Sequence, residues 1–244
     1  MEKEFIQICG IPAIIWGVTS SKAYLYVHGK GGDKEEAELF ASIVCQRGWQ
    51  VVSIDLPEHG ERKLELNSFD PWHCTKELTS VLSYIKSRWT HIALYANSIG
   101  AYFSMLSFAQ EKFANCLFVS PILDMQALIA NIMRWANISE ERLQKESLIP
   151  TQFGETLSWA YWTYVVKHPI VAWPSPTAIL YASNDNLVSR YIIDKFVNKF
   201  NCRLTVMEQG EHWFHTPEQI KFLSQWISEQ TSIKLLSKTK RSSN

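Results

Sequence analysis

No sign of charge dominates this chain: 24 basic side chains face 24 acidic ones, for a formal net charge of zero. Such a chain sets up no net field to gather a phosphate backbone or an anionic membrane surface, so nucleic-acid binding is not expected. Cysteine is sparse and unpaired in pattern. The five residues (Cys9, Cys45, Cys74, Cys116 and Cys202) are scattered, odd in number and without the close spacing of metal ligands. Most fall inside hydrophobic patterns, where a free thiol behaves as a small apolar group. A reducing, cytoplasmic setting without a bound metal is the expectation. Long hydrophobic runs are missing as well. Ile11 to Val18 is far short of a membrane span and contains Pro12, so no span is expected. The stretch Met1 to Phe5 is mostly charged and lacks the basic-then-apolar layout of a secretory signal. There is no internal repeat, no G-x-G-x-x-G and no P-loop ending in Lys-Ser or Lys-Thr.

What is present is ample hydrophobic material, 46% of 244 residues, enough for one large core. Short apolar runs alternate with amphipathic helical patterns. The runs are Phe5–Cys9, Ile11–Trp16, Ala23–Val27, Gln50–Ile54, His91–Tyr95, Cys116–Val119, Thr177–Tyr181 and Arg203–Met207. Continuous apolar strands separated by helices predict a mostly parallel α/β sheet of about eight strands, covered on both faces. Gly10, between the first two runs, allows a hairpin. Asp33 with Glu36 reads as a capping box and Gly48 as the end of the helix behind it. Asp70 before Pro71 opens a second helix, Ser189 a third, and Thr216-Pro217 with Gln219 a last one. Residues 122–173 break the rhythm, a stretch too long for an ordinary connection. Its aromatic residues, Trp135, Trp159, Tyr161, Trp162, Tyr164 and Trp173, predict a helical insertion over one sheet edge. Residues 1–230 are therefore expected to form one domain, and 231–244 a basic, polar, disordered tail.

The most informative segment is His91-Ile-Ala-Leu-Tyr95 followed by Ala96-Asn97-Ser98-Ile99-Gly100-Ala101 and a helical pattern. A strand turning sharply into a helix at a serine strains that residue's backbone, at a cost on the order of 1–3 kcal/mol. The tight turn leaves room only for small residues two positions either side, here Ala96 and Gly100. An ordinary N-cap serine would need neither. The turn also lifts the hydroxyl over the sheet at a helix N-terminus, where backbone N–H groups favour negative charge.

A serine hydroxyl is a weak nucleophile until a base takes its proton, and that base needs an orienting acid. At elbows of this kind the acid and then the histidine follow in the chain. Asp185, in Tyr181-Ala-Ser-Asn-Asp185-Asn, lies just past an apolar strand; the same residues also make good turn chemistry. Asp124, after the preceding strand, is the rival acid. Gln209-Gly-Glu-His212-Trp-Phe-His215 supplies the base, with His212 in the loop proper and His215 beside the final helix. Two N–H donors must meet the oxyanion. Ile99 offers one, and the glycine-rich loop His28-Gly29-Lys30-Gly31-Gly32 the other.

Taken together these motifs resemble the α/β-hydrolase superfamily over about residues 20–228, closest to its small esterase, monoacylglycerol-lipase-like and serine-aminopeptidase-like members. His28 to Gly32 resembles the HG-x-x-G oxyanion loop. Asp55-Leu-Pro-Glu-His59-Gly60 resembles D-x-P-G-H-G, with Glu58 where glycine is usual. Ala96 to Gly100 resembles the nucleophile elbow, with Ala96 for its first glycine. The resemblance implies an α/β-hydrolase fold with a lid insertion, a catalytic triad of Ser98, Asp185 and His212, and oxyanion N–H donors at Lys30 and Ile99. It implies a cofactor-free serine hydrolase acting on a small-molecule carboxylic ester with an apolar acyl or aryl group. Trp159, Trp162 and Trp213 are then candidates for the substrate pocket. A thioesterase or a small-peptide hydrolase shares the same triad, and a non-catalytic module binding an apolar ligand shares the fold. The Lys30 side chain is expected to be solvated, the alternative being that it reaches the pocket mouth and favours anionic substrates.

Overall fold

The computed structural model describes residues 1–232. Among the described residues there are ten strands. β1 (Lys3–Ile8), β2 (Ile11–Trp16), β3 (Lys22–Val27), β4 (Gln50–Ile54), β5 (His91–Asn97), β6 (Cys116–Val119), β9 (Thr177–Ala182) and β10 (Arg203–Met207) form one sheet. Its order is β1-β2-β4-β3-β5-β6-β9-β10. The pairs β1–β2 and β2–β4 are antiparallel and all later pairs parallel. All eight apolar runs became strands; the six inner ones bury side chains on both faces, while the edge strands β1 and β10 stay largely exposed or half-buried. The first hairpin closes through Cys9 and Gly10, both at positive φ (54° and 84°), as a two-residue turn matching the twist of its strands requires.

Alternation along the strands divides the interior in two. Ala23, Leu25 and Val27 of β3, with Leu94 and Ala96 of β5, point to one face. That face is covered by α2 (Pro71–Arg88), α3 (Ser98–Ser107) and α7 (Arg190–Phe200) through Leu78, Phe103 and Ile193. Tyr24 and Tyr26, with Ala93 and Tyr95, point to the other, under Phe40 of α1 (Ala37–Val44) and Trp226 of α8 (Pro217–Ser232). Asp70 accepts the His73 N–H at 2.8 Å and so caps α2, with Pro71 at its start, as its sequence predicts.

Three local expectations are corrected. Asp33 accepts from the Glu35 N–H and caps a short 3-10 turn, but Glu36 does not close a capping box. Its carboxylate lies instead against Gly32, where a Cβ would meet it at 2.5 Å. Ser189 stands at the start of α7 without a side-chain capping bond. Thr231 and Ser232, assigned to the tail, complete α8; residues 233–244 lie outside those described.

The insertion is mainly helical: α4 (Met125–Trp135), α5 (Glu140–Glu146) and α6 (Trp159–Lys167). It also contains a small hairpin that hydrophobic periodicity does not reveal, β7 (Leu148–Pro150) against β8 (Thr156–Ser158). Three-residue strands are too short to show a period, and Pro150 argues against a strand.

Candidate active site

The chain passes from β3 to β4 on one side and then crosses to β5 on the other. The crevice between the carboxyl ends of β3 and β5 is therefore a topological switch point, where open α/β sheets bind ligands. Two segments converge there, the glycine loop after β3 and the elbow after β5.

At the elbow Ser98 has φ of +47°, the left-handed region that costs a non-glycine residue about 1–2 kcal/mol. Crowding explains its small neighbours. Ala96 is fully buried. A Cβ on Gly100 would lie 2.3 Å from the His28 carbonyl oxygen and 2.8 Å from that of Val27. The elbow helix thus starts in contact with the backbone of the glycine loop.

Ser98 Oγ lies 2.8 Å from His212 Nε2, and His212 Nδ1 lies 2.7 Å from Asp185 Oδ2. The Asp185 side chain is fully buried and that of His212 is 15% exposed. The second Asp185 oxygen accepts the N–H groups of Leu187 and Val188 at 2.8 and 3.0 Å. Asp185 is therefore both turn former and partner of the imidazole; those two N–H groups orient its carboxylate. Asp124 is engaged elsewhere, capping α4 through the Ala127 N–H at 2.9 Å. His215 is exposed, stacked on Trp213 and bonded through Nδ1 to the Trp213 carbonyl.

The glycine loop is held by two histidines that sequence reasoning left without a role. His28, fully buried, accepts the Leu56 N–H on Nε2 at 3.0 Å and donates from Nδ1 to the Gly29 carbonyl at 2.7 Å. Burial pushes its pKa down to about 4, so it is neutral near pH 7. His59 Nε2 accepts the Gly31 N–H at 2.9 Å while its Nδ1 bonds the Pro57 carbonyl at 2.7 Å. Below them Asp55, fully buried, accepts from the Lys34 backbone N–H, the Lys34 ammonium and the Glu61 N–H. Gly60, at φ +56°, leaves the space that this carboxylate fills: a Cβ there would lie 2.2 Å from it. Glu58, in the place where the resembling motif has glycine, has φ of +64°. Its carboxylate accepts the N–H groups of Ser68 and Phe69, which offsets the strain.

A cavity of about 520 Å³ opens at Ser98 and His212 and extends toward the face of the sheet beneath α1 and α8. Gly29, Lys30, Gly31 and Trp213 line its mouth; Tyr26, Phe40, Tyr95, Phe214 and Leu223 line its depth. Of the three tryptophans singled out from the sequence, only Trp213 borders it, 72% exposed. Trp162 is buried and Trp159 half-buried in the packing of the insertion onto the body. The Lys30 ammonium reaches Glu155 at 2.5 Å, in the hairpin turn between β7 and β8, so its charge is already countered at the mouth. Sequence reasoning missed the tyrosine wall. The signal was two tyrosines at matched register near the ends of strands whose loops carry the elbow and the glycines.

Among the described residues no cluster of three His, Cys, Asp or Glu is arranged to hold a metal, and no helix is long and apolar enough to cross a membrane.

No protein-family model and no curated protein sequence matches the chain. Solved structures do. Est1E from Butyrivibrio proteoclasticus, solved with ferulic acid bound, aligns with a TM-score of 0.71 at 17% identity, over 93% of this chain and 96% of its own. Mouse alpha/beta hydrolase domain-containing protein 10 aligns with a TM-score of 0.73 at 11% identity, over 94% and 98%. A thioesterase domain from the curacin biosynthetic pathway gives 0.61 at 16% identity, over 93% and 99%. The chain has the α/β-hydrolase fold.

Proposed function

We propose that this protein is a serine hydrolase that cleaves a carboxylic ester through an acyl-enzyme on Ser98. One observation carries the reading: the unbroken hydrogen-bond chain from Ser98 Oγ through His212 to Asp185, at 2.8 and 2.7 Å. Similarity of fold alone would not justify an activity. In the first half-reaction His212 Nε2 takes the Ser98 proton as Oγ bonds to the ester carbonyl carbon. The carbonyl oxygen becomes an oxyanion. Its collapse breaks the bond to the alcohol, which leaves with the proton carried by His212. Water then repeats the sequence on the acyl-enzyme, releasing the acid and restoring Ser98.

Asp185 keeps the imidazole in the tautomer that presents Nε2 as acceptor and stabilises the imidazolium that forms. The oxyanion donors assigned are the backbone N–H groups of Ile99 and Lys30. Within the glycine loop the Gly31 N–H is taken by His59 and the Gly32 N–H by the Gly29 carbonyl. Gly29 lies against the serine, since a Cβ there would be 3.2 Å from that of Ser98. Lys30, the next residue, is the donor proposed from this loop. Fixed dipoles aimed at the developing charge supply the larger part of such catalysis.

The largely apolar lining of the cavity suits an apolar acyl or aryl group; an ester, a thioester or an amide of it would engage the same three residues. Turnover of p-nitrophenyl esters, acyl-thioesters and aminoacyl-anilides separates these substrates. Ser98→Ala should lose on the order of 10⁶-fold in turnover, and a fluorophosphonate should label wild-type Ser98. Ester hydrolysis at the wild-type rate in Ser98→Ala refutes the assignment. Folded wild-type protein that neither turns over esters nor takes the label points to a non-catalytic binding module.

A further inference from the structure

Beside Ser98 the cavity wall carries two buried polar atoms that no protein group satisfies. Asn97 Nδ2 donates to the Tyr26 hydroxyl at 3.1 Å, while Asn97 Oδ1 has no partner. Ser120 Oγ has none either. Asn97, Ser120 and Tyr26 all line the cavity that opens at Ser98 and His212. Asn97 precedes the nucleophile and pairs with Val119 across the β5–β6 ladder, so Ser120, one position on, stands level with Ser98. Backbone bonds fix it there. The Ser120 N–H donates to the Leu180 carbonyl at 2.9 Å, and the Ile122 N–H to the Ser98 carbonyl at 3.0 Å.

The backbone of Ser120 leaves the pattern of its strand to reach this place. Phe118 packs on the face under α2, α3 and α7, and Val119 on the face under α1 and α8. Strict alternation would return residue 120 to the first face. Instead Ser120 takes a left-handed φ of +43° and lines the cavity on the second. A serine in that region is strained, and strain of this kind gathers at ligand-binding sites. Native interiors also retain few unpaired polar atoms. Ser120, 2% exposed, combines both at one residue.

The three groups define the chemistry of what completes them. Asn97 Oδ1 can only accept. The Tyr26 hydroxyl, already accepting from Asn97, has its proton left to give, and the Ser120 hydroxyl both gives and accepts. Burial pushes the Tyr26 pKa well up, so the patch is uncharged. A carbonyl or carboxylate would leave Oδ1 unpaired, and an ammonium would leave the Tyr26 proton without an acceptor. A hydroxyl, one donor with two lone pairs, can serve all three. Beyond the patch the lining is apolar, through Leu39, Phe40 and Phe214, and suits a carbon chain. That side of the cavity belongs to the acyl group, which stays on Ser98 while the alcohol leaves and water enters.

We propose that the acyl group hydrolysed at Ser98 is otherwise apolar and carries a hydroxyl on its second or third carbon, bound by Asn97, Ser120 and Tyr26. The substrate class is thus a hydroxy-acid ester, with the hydroxyl close to the scissile carbonyl because the patch adjoins the nucleophile. This rests on the hydrolase reading above. The three residues act in specificity and take no part in bond breaking.

The test compares p-nitrophenyl esters that exchange hydroxyl for methyl: lactate against 2-methylpropanoate, and 3-hydroxybutanoate against 3-methylbutanoate. The hydroxy-to-methyl ratio of kcat/KM in wild type, divided by that in Ser120→Ala, cancels intrinsic reactivity. For one pair it should be about ten, the worth of one hydrogen bond. Ser120→Gly loses the strain and the unpaired hydroxyl together, so it should keep or raise the urea midpoint while losing the same preference. A lower midpoint in Ser120→Gly gives the hydroxyl a structural task and overturns the proposal. The ratio for 2-hydroxyethyl butanoate against propyl butanoate should not depend on Ser120; if it does, the hydroxyl belongs to the alcohol and the acyl assignment falls. Binding of the four corresponding primary amides, followed by NMR, needs no turnover. Wild type that binds hydroxy and methyl amides equally, with double ratios near one, overturns the proposal and leaves the hydrolase standing. A Ser120-dependent preference among the amides in a protein that hydrolyses no ester upholds the hydroxyl site and overturns its acyl assignment together with the hydrolase reading.

Discussion

Replacing Gly100 by alanine isolates the close approach on which the elbow depends. In an ordinary helix interior that change stabilises, by about 0.8–1 kcal/mol, because glycine is the poorer helix former. Here the added methyl would stand 2.3 Å from the His28 carbonyl oxygen, 2.8 Å from that of Val27 and 3.1 Å from Val27 Cγ1. Two of these three atoms are backbone and cannot rotate away. His28, whose carbonyl is the nearest, is held by its ring bonds to Leu56 and Gly29. Either α3 or the glycine loop must move by about an ångström to restore ordinary contact. Overpacking of this kind typically costs about 1–3 kcal/mol, which outweighs the gain in helix propensity. The expected result is a net loss of up to about 2 kcal/mol, seen as a lower urea midpoint with unchanged slope. Displacement of a positioning element by about 1 Å costs catalysis on the order of 10²-fold. Ester turnover should therefore fall much further than the folded fraction does. A Gly100→Ala protein that is more stable than wild type and equally active would refute the argument that α3 needs contact with the loop backbone.

Three further outcomes are expected. Asp55→Asn leaves the buried Lys34 ammonium facing only Glu61, which is 62% exposed. It should cost about 3–5 kcal/mol, measured by urea denaturation; a loss under about 1 kcal/mol would remove the buried pair from the account of the loop. At Glu58, alanine keeps the strain of φ +64° and loses both hydrogen bonds, whereas glycine loses the bonds alone. Glu58→Gly should therefore be more stable than Glu58→Ala by about 1–2 kcal/mol, and the reverse order of melting temperatures would contradict the strain. His28 is protonated near 6.5 in the unfolded chain but only near 4 in the fold, so below about pH 6.5 the unfolded chain binds more protons and stability falls with pH. The whole effect is about 3 kcal/mol at about 1.4 kcal/mol per pH unit, complete below about pH 4. Glu36, raised to about 7, works in the opposite sense, so the loss is best read in Glu36→Gln. A urea midpoint of that variant that stays flat from about pH 7 to 5 would count against it.

Much of this architecture was legible because its signals are local. A strand buried on both faces must be largely apolar along its length, so Gln50–Ile54 and Cys116–Val119 could be read to the residue. A serine between small residues at a strand–helix junction is likewise a constraint within five positions. Asp185 and His212 followed from their order and from the strand ends before them. Other readings depended on what a side chain meets across the fold. Glu36 has the spacing of a capping box, yet its carboxylate lies against Gly32. Trp162 has the composition of a pocket wall, yet it is buried in the packing of the insertion. Tyr26 and Tyr95 sit in strands whose sequence does not say which sheet face covers a cavity. β7 and β8 are too short to carry a period at all.

The sequence by itself determined the strands, most helix starts, the elbow and the residue types able to work with it, because each follows from periodicity, backbone freedom or steric room over a few neighbours. Only the tertiary structure decided the strand order, the meeting of residues 98, 185 and 212 and the facing of Tyr26 and Tyr95 into the cavity. Those are distances between segments far apart in the chain, set by how both faces of the sheet are covered at once, and no local pattern encodes such a distance.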